Sequence, residues 1–241
     1  MKPNKWQEFQ KLIEEIENSP GQKVIEEVDR LKRGLRMVKR NKDELIKVAQ
    51  VLKQPMAVPK LWSINQRDAL HVLMEEVGRL LHNFLSSVFS LADYMRSHRK
   101  HLYLNSEFDQ EIEAEIQKRF INDDDHLIAQ GLRNYILHVG FPPVGATLHY
   151  VAGEKDFNST FNMSIESLLK WDEWSGNQKQ ALARMGDTID ILLFAERYFT
   201  KVESFYLWLW SRQEEIHKKE IDDANQLRER ARAIEQEGRK K

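Results

Sequence analysis

Apolar residues recur at intervals of three and four along most of the chain, which is the spacing of one face of an α-helix. The pattern predicts a short helix over Trp6–Glu17, which ends at the sequence NSPG, and a second helix over Lys23–Lys53. The apolar residues of the second helix form one seam at heptad-like spacing. The seam consists of Val28, Leu31, Leu35, Val38, Leu45 and Leu52.

Two further helices are predicted from the same periodicity. Ser63 and Asn65 provide caps for a long third helix that runs to about Tyr103 and carries a broad apolar stripe typical of a bundle core. A fourth helix, from about Ser106 to Val139, is expected to be interrupted at the sequence NDDDH, because Asn and Asp end one helical segment and cap the next.

The period then changes to two. The sequences ATLHYVAG and FNSTFNMSI alternate as strands do, around the turn GEKD, and they predict a small β-hairpin at about 146–165. A helical pattern returns at about Asn177, with a break at Gly186, and the apolar sequence SFYLWLW follows at 204–210. The last thirty residues are almost wholly charged, which predicts a solvated helical extension at 213–241. The expected fold class is therefore mostly all-α, with one inserted hairpin.

Composition excludes several classes of protein. Lys and Arg number 37 against 38 Asp and Glu, so a uniformly basic nucleic-acid binder is excluded. The chain has no cysteine, which excludes a disulfide framework, a thiol nucleophile and a thiolate zinc site. No glycine-rich phosphate loop, HExxH zinc helix or nucleophile elbow is present, and we expect neither a cofactor nor a metal. We also find no signal peptide or membrane-length apolar run, and we expect a cytoplasmic protein without membrane contact.

The sequence GLRNYILHVGFPP, at 131–143, sets Arg133, Asn134 and His138 into an otherwise apolar helical turn. Asn134 and His138 are one turn apart, so they can share a ligand, and Gly131 leaves room beside the backbone. Arg133 projects about 140° round the helix from His138 at about 100° per residue. The two side chains converge only if Arg133 wraps over the helix or if a second molecule completes the pocket, as in a composite dimer site.

These residue types suit phosphodiester chemistry without a metal. Gly140 and the two prolines after it place His138 in the last helical turn, where the carbonyl dipoles favour positive charge. A histidine that exchanges protons, beside an arginine that holds the charge growing on phosphorus, can cleave such a bond.

The sequence RNYILH resembles the RNxxxH motif of HEPN domains, which are four-helix bundles found in many prokaryotic ribonuclease toxins, phage-defence proteins and CRISPR-associated effectors. The looser Arg-to-His spacing recurs in the chain, but Asn directly follows the Arg of the pair only here. The resemblance implies an up-and-down four-helix bundle over 61–212, preceded by an N-terminal helical extension at 1–60. It also implies a homodimer that cleaves RNA in a cleft between paired motif helices and leaves 2′,3′-cyclic phosphate ends. Arg133 would then bind the phosphate, His138 would transfer protons and Asn134 would orient them.

Other interpretations stay open. Arg, Asn and His near a helix end often do no more than cap carbonyls and satisfy buried polar contacts. The hairpin and the prolines after the motif also depart from a plain bundle. The alternative function is a non-catalytic helical module that binds RNA, a regulatory protein such as an antitoxin, or a second copy of itself.

Two polar clusters are further candidates. His82 and Asn83 lie within the stripe of the third helix, on a flank rich in small polar residues, and are predicted to form a second, substrate-binding wall of the cleft. The alternative is that the serines there permit close helix packing and that His82 is a satisfied core group. The sequence DDDH at 123–126 has metal-type ligands but lacks the pattern of a calcium loop, and helix capping is the favoured interpretation.

Overall fold

The computed structural model describes residues 3–53, 61–63, 65, 67–149 and 158–239. It is mostly helical with a small antiparallel sheet, which confirms the expected fold class. The helices are α1 (Pro3–Asn18), α2 (Pro20–Ala49), α3 (Arg67–Leu102), α4 (Glu107–Ile116), α5 (Asp124–His138), α6 (Ile165–Leu168), α7 (Gly176–Arg184), α8 (Ile191–Ile216) and α9 (Lys218–Arg239). A 3₁₀ turn (Gln50–Lys53) follows α2, and a π-helical turn (Gln117–Ile121) follows α4. The strands are β1 (Val144–His149), β2 (Asn158–Ser164) and β3 (Thr188–Asp190).

Helix α2 begins earlier than the sequence pattern indicated. Pro20 was expected to break the chain, but it occupies the first turn of α2, where its missing N–H is no loss. Ser19 caps the helix by accepting a hydrogen bond from the Gln22 amide at 3.2 Å. The predicted seam is buried apart from Val28, which is half-buried.

Helices α2 and α3 pack antiparallel. The Asn41 side chain, late in α2, donates to the Asn83 carbonyl in the middle of α3 at 3.3 Å. Glu27, early in α2, lies 3.6 Å from His98 near the end of α3. The seam of α2 therefore faces the stripe of α3.

Helices α5 and α8 complete the bundle. The ring of His126, at the start of α5, lies 6.4 Å from that of Phe89, while Ile136, near the end of α5, lines a pocket with His82. This order makes α5 antiparallel to α3. Helix α8 runs parallel to α3, because Tyr198 packs on Phe84 and, two turns later, the Tyr206 hydroxyl donates to the Leu91 carbonyl at 3.2 Å. The four helices thus alternate in direction along the chain.

One hydrophobic core joins these four helices to α7 and the sheet. The division into an extension at 1–60 and a bundle at 61–212 stays a prediction, but the packing crosses it. Leu31, Leu45 and Leu52 from the first segment are fully buried in the same core as Leu81 and Phe194 from the second.

The predicted hairpin is present within a three-stranded sheet of order β1–β2–β3. Val144 pairs with Met163, and Met163 pairs with Ile189 of β3. The sequence did not predict β3, because three residues are too few to establish a period of two. The predicted GEKD turn, at 153–156, lies outside the described residues. The predicted break at Gly186 is confirmed, since Gly186 has a φ of +88° just before β3.

The charged C-terminal segment is not a solvated extension on all sides, which corrects the prediction for 213–241. Helix α9 folds back antiparallel to α1, where Lys5 and Glu237 form an ion pair. Leu12 and Ile16 of α1 pack with Ala231 in a small second core. Leu227, Ala231 and Ile234 of α9 lie on this one face. The many charged residues around them hid this apolar face from the sequence pattern.

Gly21 allows the start of α9 to approach α2. A Cβ at Gly21 would lie 2.0 Å from the backbone oxygen of Glu220, and a backbone atom cannot swing aside. We expect Gly21→Ala to lower the free energy of unfolding by about 1–3 kcal/mol, as overpacking does. Thermal denaturation and amide exchange in α9 measure the effect. Gly176→Ala is the matched control because that glycine, also in a first helical turn, has open space around it. Unchanged exchange in α9 of Gly21→Ala would contradict this role.

Candidate functional site

The motif lies in the last two turns of α5. Asp123 caps this helix by accepting a hydrogen bond from the His126 amide at 3.0 Å, as the capping interpretation predicted. Leu132 and Tyr135 are buried and fix the orientation of the helix. Val139 lies beyond the helix end and is 54% exposed.

Arg133 is exposed and lies against α3. Its guanidinium carbon is 5.1 Å from the centre of the Phe89 ring, in a cation–π contact. Together α3 and α5 enclose a pocket of about 140 Å³ beside it. The pocket is lined by His82, Leu85, Ser86, Ser90, Asp93, Arg133, Ile136 and Leu137. Arg133 therefore faces a small polar pocket within its own chain.

The structure places His82 in the pocket of Arg133, but it does not place Asn83 there. The His82 Nδ1 lies 3.5 Å from the Ser86 hydroxyl, and its ring meets Phe141 edge-on with centres 6.0 Å apart. Asn83 is one residue further round α3, and its carbonyl accepts from Asn41 on the α2 side. Of the two residues that were predicted to form a second wall of the cleft, only His82 lines the pocket. Asn83 is the next residue along the helix, and the rotation of about 100° per residue directs it away from the pocket.

His138 does not line the pocket of Arg133, and neither does Asn134. His138 is exposed as the last residue of α5, and Asn134 is half-buried one turn earlier. Among the described residues, neither side chain has a hydrogen-bond partner. Within one chain, the guanidinium and the imidazole therefore do not converge on one pocket.

Gly140 turns the chain directly after His138. Its φ of +132° is a conformation that side chains with a Cβ rarely adopt, and its amide donates to the Tyr135 carbonyl at 3.3 Å. The turn brings Phe141 against His82 of α3. It also brings Val144, the first residue of β1, next to Gly78 of α3. The end of the motif helix is consequently held in place but remains exposed.

Gly131 has a different role from the one its position suggested. A Cβ there would lie 2.1 Å from the ring of Trp174, so the space beside the backbone is filled by that indole and not left for a ligand. Trp174 is buried, and its N–H donates to the Leu168 carbonyl at 2.8 Å. Gly131 therefore serves the packing of α5 against the segment before α7.

The acidic sequence at 123–125 meets basic partners from α7 and α8. Asp124 accepts from Arg184 at 2.5 and 2.8 Å, and Asp125 accepts from Arg197 at 2.8 Å and from Lys201 at 3.0 Å. Over the described part of the chain, no three His, Cys, Asp or Glu side chains are grouped as a metal site would require. These carboxylates hold α5 onto the neighbouring helices.

Asp125 should make stability depend on acid pH. Burial alone would raise the pKa of Asp125, but the hydrogen bonds from Arg197 and Lys201 hold it below its usual value. A lowered pKa in the folded state gives stability that is present above the unfolded value of about 4 and is lost as the pH falls through the folded value. We expect Asp125→Asn to cost about 2 kcal/mol at neutral pH, less than a fully buried pair because its partners are partly exposed.

Chemical denaturation across a pH series measures this contribution. The difference between the parent and Asp125→Asn should shrink as the pH falls below about 4, where the carboxyl group becomes protonated. Asp124→Asn is the control, since its partner Arg184 is exposed and little change is expected. A constant difference at every pH would contradict the assignment.

The aromatic sequence at 204–210 belongs mainly to the core. Phe205 and Tyr206 are buried, and Trp208 and Trp210 pack against the core from partly buried positions. No helix in the described ranges has the length and apolar character needed to cross a bilayer.

A cavity beneath the π-helical turn is not apparent from the sequence pattern. His126 and Phe120 line it, together with residues of α3 and α8. The lining residues come from separate helices, so no single stretch of sequence indicated the cavity.

Comparison of the chain with protein-family models, with curated proteins and with solved structures finds no match.

Proposed function

We propose that the protein is a homodimeric, metal-independent endoribonuclease whose cleft forms where two copies of α5 meet. Each cleft takes Arg133 from one copy and His138 from the other. The main observation behind this proposal is that exposed apolar side chains lie on both sides of His138 in the chain. The resemblance of the sequence RNYILH to the motif of HEPN domains supports it further. A setting in phage defence or in a toxin–antitoxin pair rests on that resemblance alone.

The directions of the two side chains favour a cleft completed by a second copy. Arg133 lines the pocket between α3 and α5, whereas His138 projects from the end of the helix outside that pocket. A two-fold axis near the end of α5 would set the His138 of one copy opposite the Arg133 of the other, because an isologous interface exchanges equivalent contacts.

The surface around His138 has the character of an interface. Leu137, Val139 and Phe141 are 60%, 54% and 58% exposed, and all three lie within four residues of one another in the chain. Three large apolar side chains clustered around a polar functional group are typical of a binding surface. A second copy covers them in the proposed dimer.

The chemistry follows from the side chains in the cleft. The His138 imidazole takes the proton of the ribose 2′-hydroxyl, and the 2′-oxygen attacks phosphorus. The bond from phosphorus to the 5′-oxygen breaks, and the protonated His138 imidazole returns the proton to that oxygen, which leaves as a hydroxyl. The Arg133 guanidinium holds the charge that grows on the phosphoryl oxygens. Asn134 orients the imidazole, and His82 contacts the strand where it passes the pocket.

The direct experiment incubates the purified chain with single-stranded RNA in EDTA and identifies the product ends. We expect cleavage that EDTA does not reduce, giving 2′,3′-cyclic phosphate and 5′-hydroxyl ends. The double variant Arg133→Ala/His138→Ala, purified in the same way, controls for contaminating nuclease. Intact RNA, or cleavage equal to that of the double variant, would contradict the proposal.

A non-catalytic interaction module is the second candidate, because the same exposed apolar residues fit a partner protein or a dimer without any reaction. This module would form a stable complex through Leu137, Val139 and Phe141 and would leave RNA intact. Product analysis beside a size measurement therefore separates the two functions.

A further inference from the structure

We propose that a buried chain of polar side chains at the joint between α8 and α9 is a two-proton switch, in which two histidines gain or lose their charge together. The chain joins α2, α3, α8 and α9 and is separate from the proposed cleavage site. In order, its members are Glu27, His98, Gln213, Tyr103, His217 and Glu220. His217 is the single residue between α8 and α9, so the chain ends at that joint.

The middle of the chain is closed to water. His98 is fully buried, Gln213 is 1% exposed and Tyr103 is 3% exposed. The Oε1 atom of Gln213 has no hydrogen-bond partner among the described residues, although it is buried. Buried polar atoms are nearly always hydrogen-bonded, so this spare acceptor calls for an explanation.

A carboxylate faces the Nδ1 atom of each histidine. The Oε2 atom of Glu27 lies 3.6 Å from the Nδ1 of His98, and Glu220 accepts a hydrogen bond from the Nδ1 of His217. An ionised carboxylate can only accept hydrogen bonds, so the ring proton of each neutral histidine lies on Nδ1. The Nε2 atoms of both rings face the middle of the chain, and a second proton on either ring binds there.

The Gln213 amide couples these two Nε2 atoms. It donates one hydrogen to the Nε2 of His98 and the other to the Tyr103 hydroxyl, the latter at 3.0 Å. The Tyr103 hydroxyl then donates its own hydrogen to the Nε2 of His217, also at 3.0 Å. Burial raises the pKa of Tyr103 to about 12, so the hydroxyl keeps that hydrogen. In this arrangement both histidines are neutral.

Turning the amide over gives a second arrangement that is also complete. The Oε1 atom of Gln213 then accepts from a protonated Nε2 of His98 and from the Tyr103 hydroxyl. Because the hydroxyl hydrogen now points to Gln213, the Tyr103 oxygen accepts from a protonated Nε2 of His217. Each charged ring still lies beside its carboxylate, which stabilises the charge. One added proton alone would leave two donors or two acceptors facing each other, so the two protons bind together.

Charged groups on the neighbouring helices set the pH of this step. Arg30 of α2 lies 2.9 Å from Glu27, and His101 of α3 lies 3.8 Å from the same carboxylate. Burial first, and then the positive charges of these two groups and of His217, lower the pKa of His98 to about 4. The neutral arrangement is therefore the one present at neutral pH, and the charged one forms as the pH falls below the usual histidine value of about 6.5.

Titration of the imidazoles by NMR on the full chain tests the switch. Isotope-labelled histidine reports the protonation of each ring nitrogen, and His98→Gln and His217→Gln assign the two signals. We expect both rings to gain their protons in one step, with the ratio of charged to neutral form changing about 100-fold per pH unit instead of about tenfold. Repulsion between two charged rings would separate their titrations, so a joint step is specific to the chain. His101, exposed and outside the chain, is the internal control and should titrate alone.

Variants in the middle of the chain should uncouple the two rings. Gln213→Met keeps the size of the side chain without the amide, and Tyr103→Phe removes only the hydroxyl. In each variant we expect two separate steps of about tenfold per pH unit. Gln213→Glu presents an acceptor to both sides and should keep both rings charged at neutral pH. Tyr94→Phe, at an exposed position of α3, is the matched control and should keep the joint step.

Four results would overturn the switch. They are separate titration of the two rings in the parent, a joint step that persists in both uncoupling variants, neutral rings in Gln213→Glu at neutral pH, and loss of the folded spectrum of the parent before either ring is charged.

Discussion

Replacing Arg133 or His138 with alanine is expected to lower the rate of RNA cleavage by about 10²–10⁴-fold, the usual contribution of a positioned proton donor or charge-stabilising group. Both side chains are exposed, and Arg133→Ala loses only a cation–π contact worth about 0.5–1 kcal/mol at an exposed site. Helicity should therefore stay as in the parent, and the melting temperature should change by no more than a few degrees. Cleavage rates under single-turnover conditions, beside circular dichroism, measure the two effects separately.

Matched controls come from exposed residues of the same types. His71→Ala on α3 and Arg230→Ala on α9 remove the same chemical groups from exposed positions that do not line the pocket of Arg133, and they should keep the parental rate. A parental rate in His138→Ala or in Arg133→Ala would exclude that residue from the reaction.

Charge placed at the end of α5 is expected to abolish both the dimer and the cleavage. In the double variant Leu137→Glu/Phe141→Glu, four carboxylates would meet around the two-fold axis, and burying unpaired charges costs several kcal/mol. Because both side chains are more than half exposed in one chain, the fold of the monomer should persist. Analytical ultracentrifugation gives the size of the particle, and the RNA assay gives the rate.

Leu104→Glu is the control for this variant, since Leu104 is 64% exposed in the turn after α3, far along the bundle from the end of α5. It should remain dimeric and active. The double variant would count against the proposed interface if it stayed dimeric, and against the composite cleft if it became monomeric but cleaved at the parental rate.

The long helices could be predicted from sequence because their patterns are self-contained. The seam from Val28 to Leu52 extends over about seven helical turns, so a residue such as Leu45 could be placed in the core without knowing its partner. The partner of α9 could not be found in this way. Its few apolar residues are widely spaced, and they meet α1 more than two hundred positions away in the chain.

The candidate site was predictable in part for the same reason. The angle between Arg133 and His138 follows from helix geometry alone, and the structure places them on separate surfaces as that angle requires. The space beside Gly131 is occupied by the ring of Trp174, which is a tertiary contact. The sequence alone could not distinguish this packing from an open space that a ligand could enter. Likewise, His82 and Asn83 can be assigned to different sides of α3 only when the helix that packs against each side is known.

The most direct measurement of the central claim uses mixed dimers of Arg133→Ala and His138→Ala. The two variants are co-expressed with different tags, and dimers that carry both tags are purified and assayed for RNA cleavage in EDTA. If each cleft takes Arg133 from one copy and His138 from the other, a mixed dimer has one intact cleft and should cleave at about half the parental rate. Mixed dimers as inactive as either variant alone would contradict a cleft shared in this way.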